Sequence, residues 1–245
     1  MNYYYITGTS RGIGKALAEE LLKDDNNFVI GISRGSSISH ANYRHVTLDL
    51  SKLKKTAGFR FDEFTDAGKI VLVNNAGYIG EIKRTGHHDS KKIAKTYKVN
   101  LAAPSVLMNS FIAVYSGSPA EKIILNISSG AGRHPIDAAG AYCASKAGLD
   151  MFSKVIAEEQ KITGGDFKIA SISIGVIDTA MQSKLRDADE DEFSRKNEFT
   201  GYKEKGQITQ PEDLAVKLAE IINNISKASS TVFSVREFDE MMKNA

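Results

Sequence analysis

Seven short runs rich in β-branched, aromatic and other apolar residues punctuate the chain: Tyr3–Thr7, Phe28–Ser33, Arg44–Leu48, Lys69–Asn74, Lys122–Ser128, Lys168–Ile174 and Thr231–Val235. Runs such as Ile70-Val71-Leu72-Val73 are continuously apolar instead of alternating, which predicts strands covered on both faces, as in a parallel sheet. Helical periodicity lies between them. Within 12–23, Ile13, Leu17 and Leu21 share one face while Glu19, Glu20 and Lys23 fall elsewhere. Residues 90–114 and 141–161 predict longer helices, and Pro211-Glu212-Asp213 opens one that runs to about Asn223. Strand and helix alternating in this way predict right-handed βαβ units and a doubly wound α/β sheet of about seven parallel strands, with helices on both faces. Residues 182–207 break the pattern. They are densely charged, with few apolar positions at either period. Composition leaves two readings open, a solvated excursion or a cover over a site, and the location after a strand end favours a substrate-covering segment at 179–207.

Composition narrows the function classes. A chain of 245 residues that is 42% hydrophobic and 25% charged supports one continuous core, and the predicted elements use up its length, so 1–245 is expected to be a single domain. Lys+Arg number 32 against 30 Asp+Glu, a formal charge of +2, which argues against nucleic acid held by bulk charge. The single cysteine, Cys143, excludes an intramolecular disulfide framework and a cysteine-based zinc cluster. Residues 1–8 lack a basic leader, and the apolar runs fall far short of the ~18–20 residues that span a bilayer. A soluble, cytoplasmic protein without membrane association is the expectation. His87, His88 and His134 lack the spacing and carboxylate company of a metal site, and no metal is expected.

Candidate chemistry begins at Thr7-Gly8-Thr9-Ser10-Arg11-Gly12-Ile13-Gly14, which follows the first strand and opens the first helix. Three glycines there permit a tight turn and a close approach of pyrophosphate to N–H groups at the helix N-terminus. No Gly-Lys-Ser/Thr closes the turn, so it is not a Walker-type loop. At the end of the second strand an acid would bind the ribose diol of NAD, but the chain carries Arg34. With Arg11 in the turn, this predicts NADP(H).

Tyr142 and Lys146 lie four apart, on one face of a predicted helix, where an ammonium near a phenol is expected to lower the phenol's pKa. Taken with the Thr7–Gly14 turn, Asp49-Leu50, Asn74-Asn75-Ala76-Gly77, Asn100 and Asn126-Ile127-Ser128-Ser129, in this order, the chain resembles a short-chain dehydrogenase/reductase over essentially its whole length. That resemblance implies a Rossmann-like fold and hydride transfer from a nicotinamide to a carbonyl. Tyr142 would be the general acid, and Lys146 would depress its pKa and bond the nicotinamide ribose. Ser129, thirteen residues before Tyr142, would polarise the carbonyl, with Ser128 structural, and Asn100 would hold a relay water. The cofactor would meet Gly8, Ser10, Arg11, Gly12, Ile13, Gly14, Arg34, Asp49, Leu50, Asn75, Ala76, Gly77, Tyr142, Lys146, Ile177, Thr179 and Met181, while Asn74 would bond at the sheet end.

Gly77-Tyr78-Ile79-Gly80-Glu81-Ile82, Asp178-Thr179-Ala180-Met181-Gln182 and Lys203-Glu204-Lys205-Gly206 are similar to the sepiapterin reductase and benzil reductase branch. Two departures stand out: Ile174-Gly175 replaces the usual Pro-Gly, and Ser234 (Arg236 if the register shifts by two), neither an acid, falls where sepiapterin reductases carry a pterin-anchoring aspartate. A small ketone or vicinal dicarbonyl is therefore the expected small-molecule substrate, and a homodimer pairing the two long helices is the expected assembly. Two alternatives differ in class. A 3-oxoacyl-carrier-protein reductase would want a basic surface where Asp187, Asp189, Glu190, Asp191 and Glu192 stand, and a non-catalytic NADP-binding sensor would commonly lack the tyrosine or lysine that this chain retains.

Overall fold

A computed structural model of the chain describes residues 1–243. All seven expected strands form: β1 (Asn2–Thr7), β2 (Asn27–Ser33), β3 (Tyr43–Thr47), β4 (Lys69–Asn74), β5 (Glu121–Ser128), β6 (Lys168–Ser173) and β7 (Val232–Ser234). They make one parallel sheet in the order β3-β2-β1-β4-β5-β6-β7. The winding direction reverses between β1 and β4, and a doubly wound sheet opens its crevice at that point, beyond the carboxyl ends of the strands.

Side-chain alternation within the apolar runs divides the core in two. Tyr4, Ile6, Val71, Val73, Ile123 and Leu125 face α1 (Gly12–Leu21) and α8 (Pro211–Asn223). Tyr5, Ile30, Ile70, Leu72 and Ile124 face α4 (Ala103–Tyr115) and α5 (Gly140–Thr163). A continuous apolar run thus supplies two opposite faces. On the second face the aromatic residues Tyr5, Phe61, Phe111 and Tyr115 interlock edge to face, with centroids 4.8–6.5 Å apart. Gly164, at φ 68°, ends α5 in the left-handed conformation that favours glycine.

The helices depart from expectation in four places. Residues 90–114 do not form one helix: α3 (Ser90–Tyr97) gives way to a π-helical turn at Lys98–Ala102 before α4 resumes. A short α2 (Leu53–Ala57) follows β3. The charged stretch folds into α6 (Ala180–Arg186) and α7 (Lys196–Glu204), which bury Leu185 and Phe199, and the turn between them buries Phe193. Val235, expected in the last strand, instead opens α9 (Val235–Lys243), where Ser234 and Glu237 bond each other's backbone N–H in a capping box.

Candidate active site

The turn after β1 is built around missing Cβ atoms. Gly8 and Gly12 adopt φ of 81° and 57°, and a Cβ on Gly14 would lie 2.5 Å from the Gly8 carbonyl oxygen and overlap the Asn75 amide. The Asn75 side chain donates to the Thr7 carbonyl at 2.9 Å, while the Thr7 hydroxyl accepts from the N–H groups of Asn75 and Ala76 at 3.0 Å each. The turns after β1 and β4 are therefore one cross-braced unit. Thr7 as the brace was not foreseen; its signal was a hydroxyl at the last position of the first strand.

A cleft of about 830 Å³ runs from this unit along the carboxyl ends of the strands. At one end it is lined by Ser10, Arg11, Arg34, Asp49 and Leu50, and at the other by Ser129, Tyr142, Lys146 and Ile177. Gly8, Gly12, Ile13, Ala76, Gly77, Thr179 and Met181 lie between. Arg11 and Arg34 are exposed to the cleft, whereas Asp49 binds its own neighbour, accepting from the N–H and hydroxyl of Ser51 at 3.0 and 2.8 Å. Burial raises the Asp49 pKa, but those bonds and the nearby Arg34 outweigh it and leave the carboxyl below its ordinary value. Close backbone approach at one wall and, at one end, two guanidinium groups without a carboxylate partner among the described residues fit a phosphorylated dinucleotide.

Tyr142 and Lys146 sit in the first turns of α5, 8% and 4% exposed. The Lys146 ammonium donates to the Ile127 carbonyl at 2.7 Å, which ties the helix to the end of β5. Burial pushes the Tyr142 phenol up to about 12, with the Ser129 hydroxyl pulling the other way. Burial likewise lowers Lys146 to about 8, opposed by the carboxylate of Asp150 one helical turn further on. The expected lowering of the Tyr142 pKa by Lys146 is therefore corrected: in the protein alone desolvation dominates, because both groups are shut away from water. Asp150, itself buried, accepts from the Ser171 hydroxyl at 2.6 Å and is a partner for Lys146 that sequence reading missed.

Ser129 caps a short 3₁₀ turn by accepting from Ala131 N–H at 3.2 Å. Ser128 is buried at the strand end with its hydroxyl unpartnered, and Asn74 donates to Asn126 at 2.8 Å as a sheet-end bond. Asn100 lies in the π-helical turn. Its side chain accepts from Tyr78 N–H (2.8 Å) and donates to the Tyr78 carbonyl (2.9 Å) and to Ser145 (3.1 Å). Ser145 in turn donates to the Tyr142 carbonyl at 2.7 Å, so Asn100 clamps the β4 turn to α5.

The start of the 179–207 segment lines this cleft through Thr179, Ala180, Met181, Gln182 and Lys184. A Cβ on Gly12 would lie 3.7 Å from the Thr179 methyl, and one on Gly77 would lie 3.4 Å from the Met181 methyl. Its Leu185, Phe193 and Phe199 pack in one cluster with Ile79, Ala139 and Tyr142. Glu192 ties the far end down by accepting from Arg84 N–H and bonding His87 at 2.7 and 2.6 Å. Ala138, at φ 59°, shapes the loop that leads into Tyr142. Tyr78, Lys95, Val99, Gln182 and Lys184 also line the cleft without having been assigned there. Cys143 packs against the same cluster.

Residues 2–190 match the family model described as short chain dehydrogenase. The benzil reductase ((S)-benzoin forming) of Bacillus subtilis (strain 168) is 31% identical over 245 residues, covering 97% of this chain and all of that one. The sepiapterin reductase of Bos taurus is 27% identical over 241 residues, covering 89% and 88%. Among solved structures, a short chain dehydrogenase/reductase from Saccharomyces cerevisiae superposes with a TM-score of 0.80 at 23% identity over 96% of both chains.

Proposed function

Because the chain belongs to the short-chain dehydrogenase family, and is thereby an oxidoreductase of CH–OH/C=O groups that uses a nicotinamide cofactor, we propose that it is an NADPH-dependent carbonyl reductase of a small ketone or vicinal dicarbonyl. One observation carries this reading: Ser129, Tyr142 and Lys146 converge on the same cleft as the glycine turn and the exposed Arg34. A reduced nicotinamide, when bound, supplies the hydride. The chain's own residues supply the rest. Tyr142, protonated at neutral pH, donates its proton to the carbonyl oxygen, and Ser129 donates a hydrogen bond to the same oxygen. Lys146, at about 8, sits near working pH and returns a proton to the phenol, with Asn100 positioning the relay toward solvent. Arg34 and Arg11 receive the 2′-phosphate, a planar guanidinium being matched to phosphate geometry.

Two further features support the substrate class and the assembly. Ser234 is engaged in capping α9, its hydroxyl accepting from Glu237 N–H at 3.1 Å, which favours a dicarbonyl over a pterin. Met151, Val155 and Ile162 form an exposed stripe on α5, 44–75% accessible, and Val114 is exposed on α4, as expected for a homodimer paired through these helices. The protein would work in the cytoplasm. Benzil reduction followed by absorbance of the reduced nicotinamide tests the reading. NADPH should be preferred over NADH by at least about tenfold, Arg34→Asp should remove the preference, and Tyr142→Phe should lower turnover by about 10²-fold or more while NADPH still binds. Equal use of NADH by wild type and Arg34→Asp, or retained turnover in Tyr142→Phe, refutes it. Light scattering that finds a monomer at micromolar concentration refutes the dimer.

A further inference from the structure

Tyr78 follows directly on the braced turn after β4, and Asn100 bonds both its N–H and its carbonyl, so the base of its ring is held at a fixed place on the cleft wall. Two ammonium groups converge on that ring from different elements. Lys95, from α3, stands 4.7 Å from the ring centroid, and Lys184, from α6, stands 5.6 Å from it. Both lysines line the cleft, and among the described residues neither is paired with a carboxylate. The three acids at the cleft do not answer them: Asp49 is bonded to Ser51, Asp178 is paired with Arg186 at 3.6 Å, and Glu212, at the start of α8, forms no ion pair with either lysine among the described residues. A ring face attracts each cation weakly, but two like charges on one ring repel each other. An anion that reaches both offsets that repulsion and ties α6 to the wall that carries Tyr78.

We propose that Lys95 and Lys184, seated on Tyr78, form an anion clasp across the mouth of the cleft that takes a phosphate or carboxylate of the bound molecule. Two sources offer that chemistry, the pyrophosphate of the dinucleotide and a carboxylate on the carbonyl substrate. The first rests on the cofactor reading above. The lysines are half-buried and exposed, respectively, so replacing them by methionine preserves the fold and most of the packing on the ring.

The test compares wild type with Lys95→Met, Lys184→Met and the double variant by calorimetric titration with NADPH, with inorganic pyrophosphate and with a 2-oxo acid, at low and high salt. KM is then measured for that 2-oxo acid and for its neutral methyl ester at saturating NADPH. If the pyrophosphate is the anion, the double variant binds NADPH at least tenfold more weakly, loses part of the salt dependence of binding, and keeps both KM values within twofold. If the substrate supplies it, NADPH affinity holds, and KM rises at least tenfold for the acid but not for the ester. NADPH affinity and the acid-to-ester KM ratio both within twofold of wild type overturn the clasp. Wild type that binds pyrophosphate through the two lysines but does not bind NADPH upholds the clasp and refutes the cofactor reading instead.

Discussion

Lys146→Met tests whether the machinery is held at a cost to the fold. In the folded chain the ammonium is 4% exposed and its pKa falls from the ordinary 10.5 to about 8, because burial outweighs the attraction of Asp150. At about 1.36 kcal/mol per pH unit, that drop corresponds to about 3 kcal/mol. The sign follows from proton counting. Between pH 8 and 10.5 the unfolded chain holds a proton on this lysine that the folded chain has released, so stability rises with pH across that window. Below pH 8 both states are protonated, and the folded state bears the whole penalty of the buried charge. Methionine removes the penalty and also the 2.7 Å bond to the Ile127 carbonyl, a loss of roughly 1 kcal/mol. At pH 7 the variant should therefore be more stable than wild type by about 2 kcal/mol, a rise in melting temperature of about 4–8 °C at this chain length, while reductase turnover falls by about 10²-fold or more. By pH 9.5 most of the advantage should have gone. The assay is urea unfolding of both proteins by circular dichroism at pH 7, 8, 9 and 9.5. The comparison stays below the range where buried tyrosines such as Tyr4, raised to about 12, begin to matter. A difference in stability that is the same at every pH, or one that grows with pH, refutes the reasoning.

The other expectations concern the scaffold. Gly14→Ala should lower stability by about 1–3 kcal/mol and weaken NADPH binding, because its Cβ meets the Gly8 carbonyl and the Asn75 amide that brace the turn; unchanged melting and unchanged calorimetric affinity would contradict this. Phe111→Ala, which empties a fully buried site between Phe61 and Tyr115, should cost about 3–5 kcal/mol in urea unfolding and leave the KM of surviving folded protein unchanged; a loss under 1 kcal/mol would show that the aromatic cluster is not tightly packed.

All seven strands could be read from the chain: the continuous apolar runs of the central ones have one stable home, between two helical layers, while edge strand β3, Tyr-Arg-His-Val-Thr, showed only β-rich composition. The same local signals placed the glycine turn, Ser129, Tyr142 and Lys146. Helix boundaries were harder where a side chain from elsewhere sets them. Residues 98–102 keep helical spacing in the sequence, yet they open into a π-helical turn where the Asn100 side chain meets the backbone of Tyr78, twenty-two positions away. The charged stretch after β6 carries only scattered apolar residues, and its helices form because Phe193 and Phe199 find a shared cluster with Tyr142.

The sequence by itself determined the fold class, the order of its elements and which motif residues meet at the cleft, since periodicity and motif spacing are local properties. The tertiary structure alone decided the electrostatics. Burial of Tyr142 and Lys146 moves their pKa values in directions opposite to those of exposed opposite-charge neighbours, Asp150 enters as a hidden partner, and Lys95 and Lys184 meet on one ring from helices almost ninety positions apart. Charges interact through space and through the dielectric that surrounds them, and neither is written along the chain.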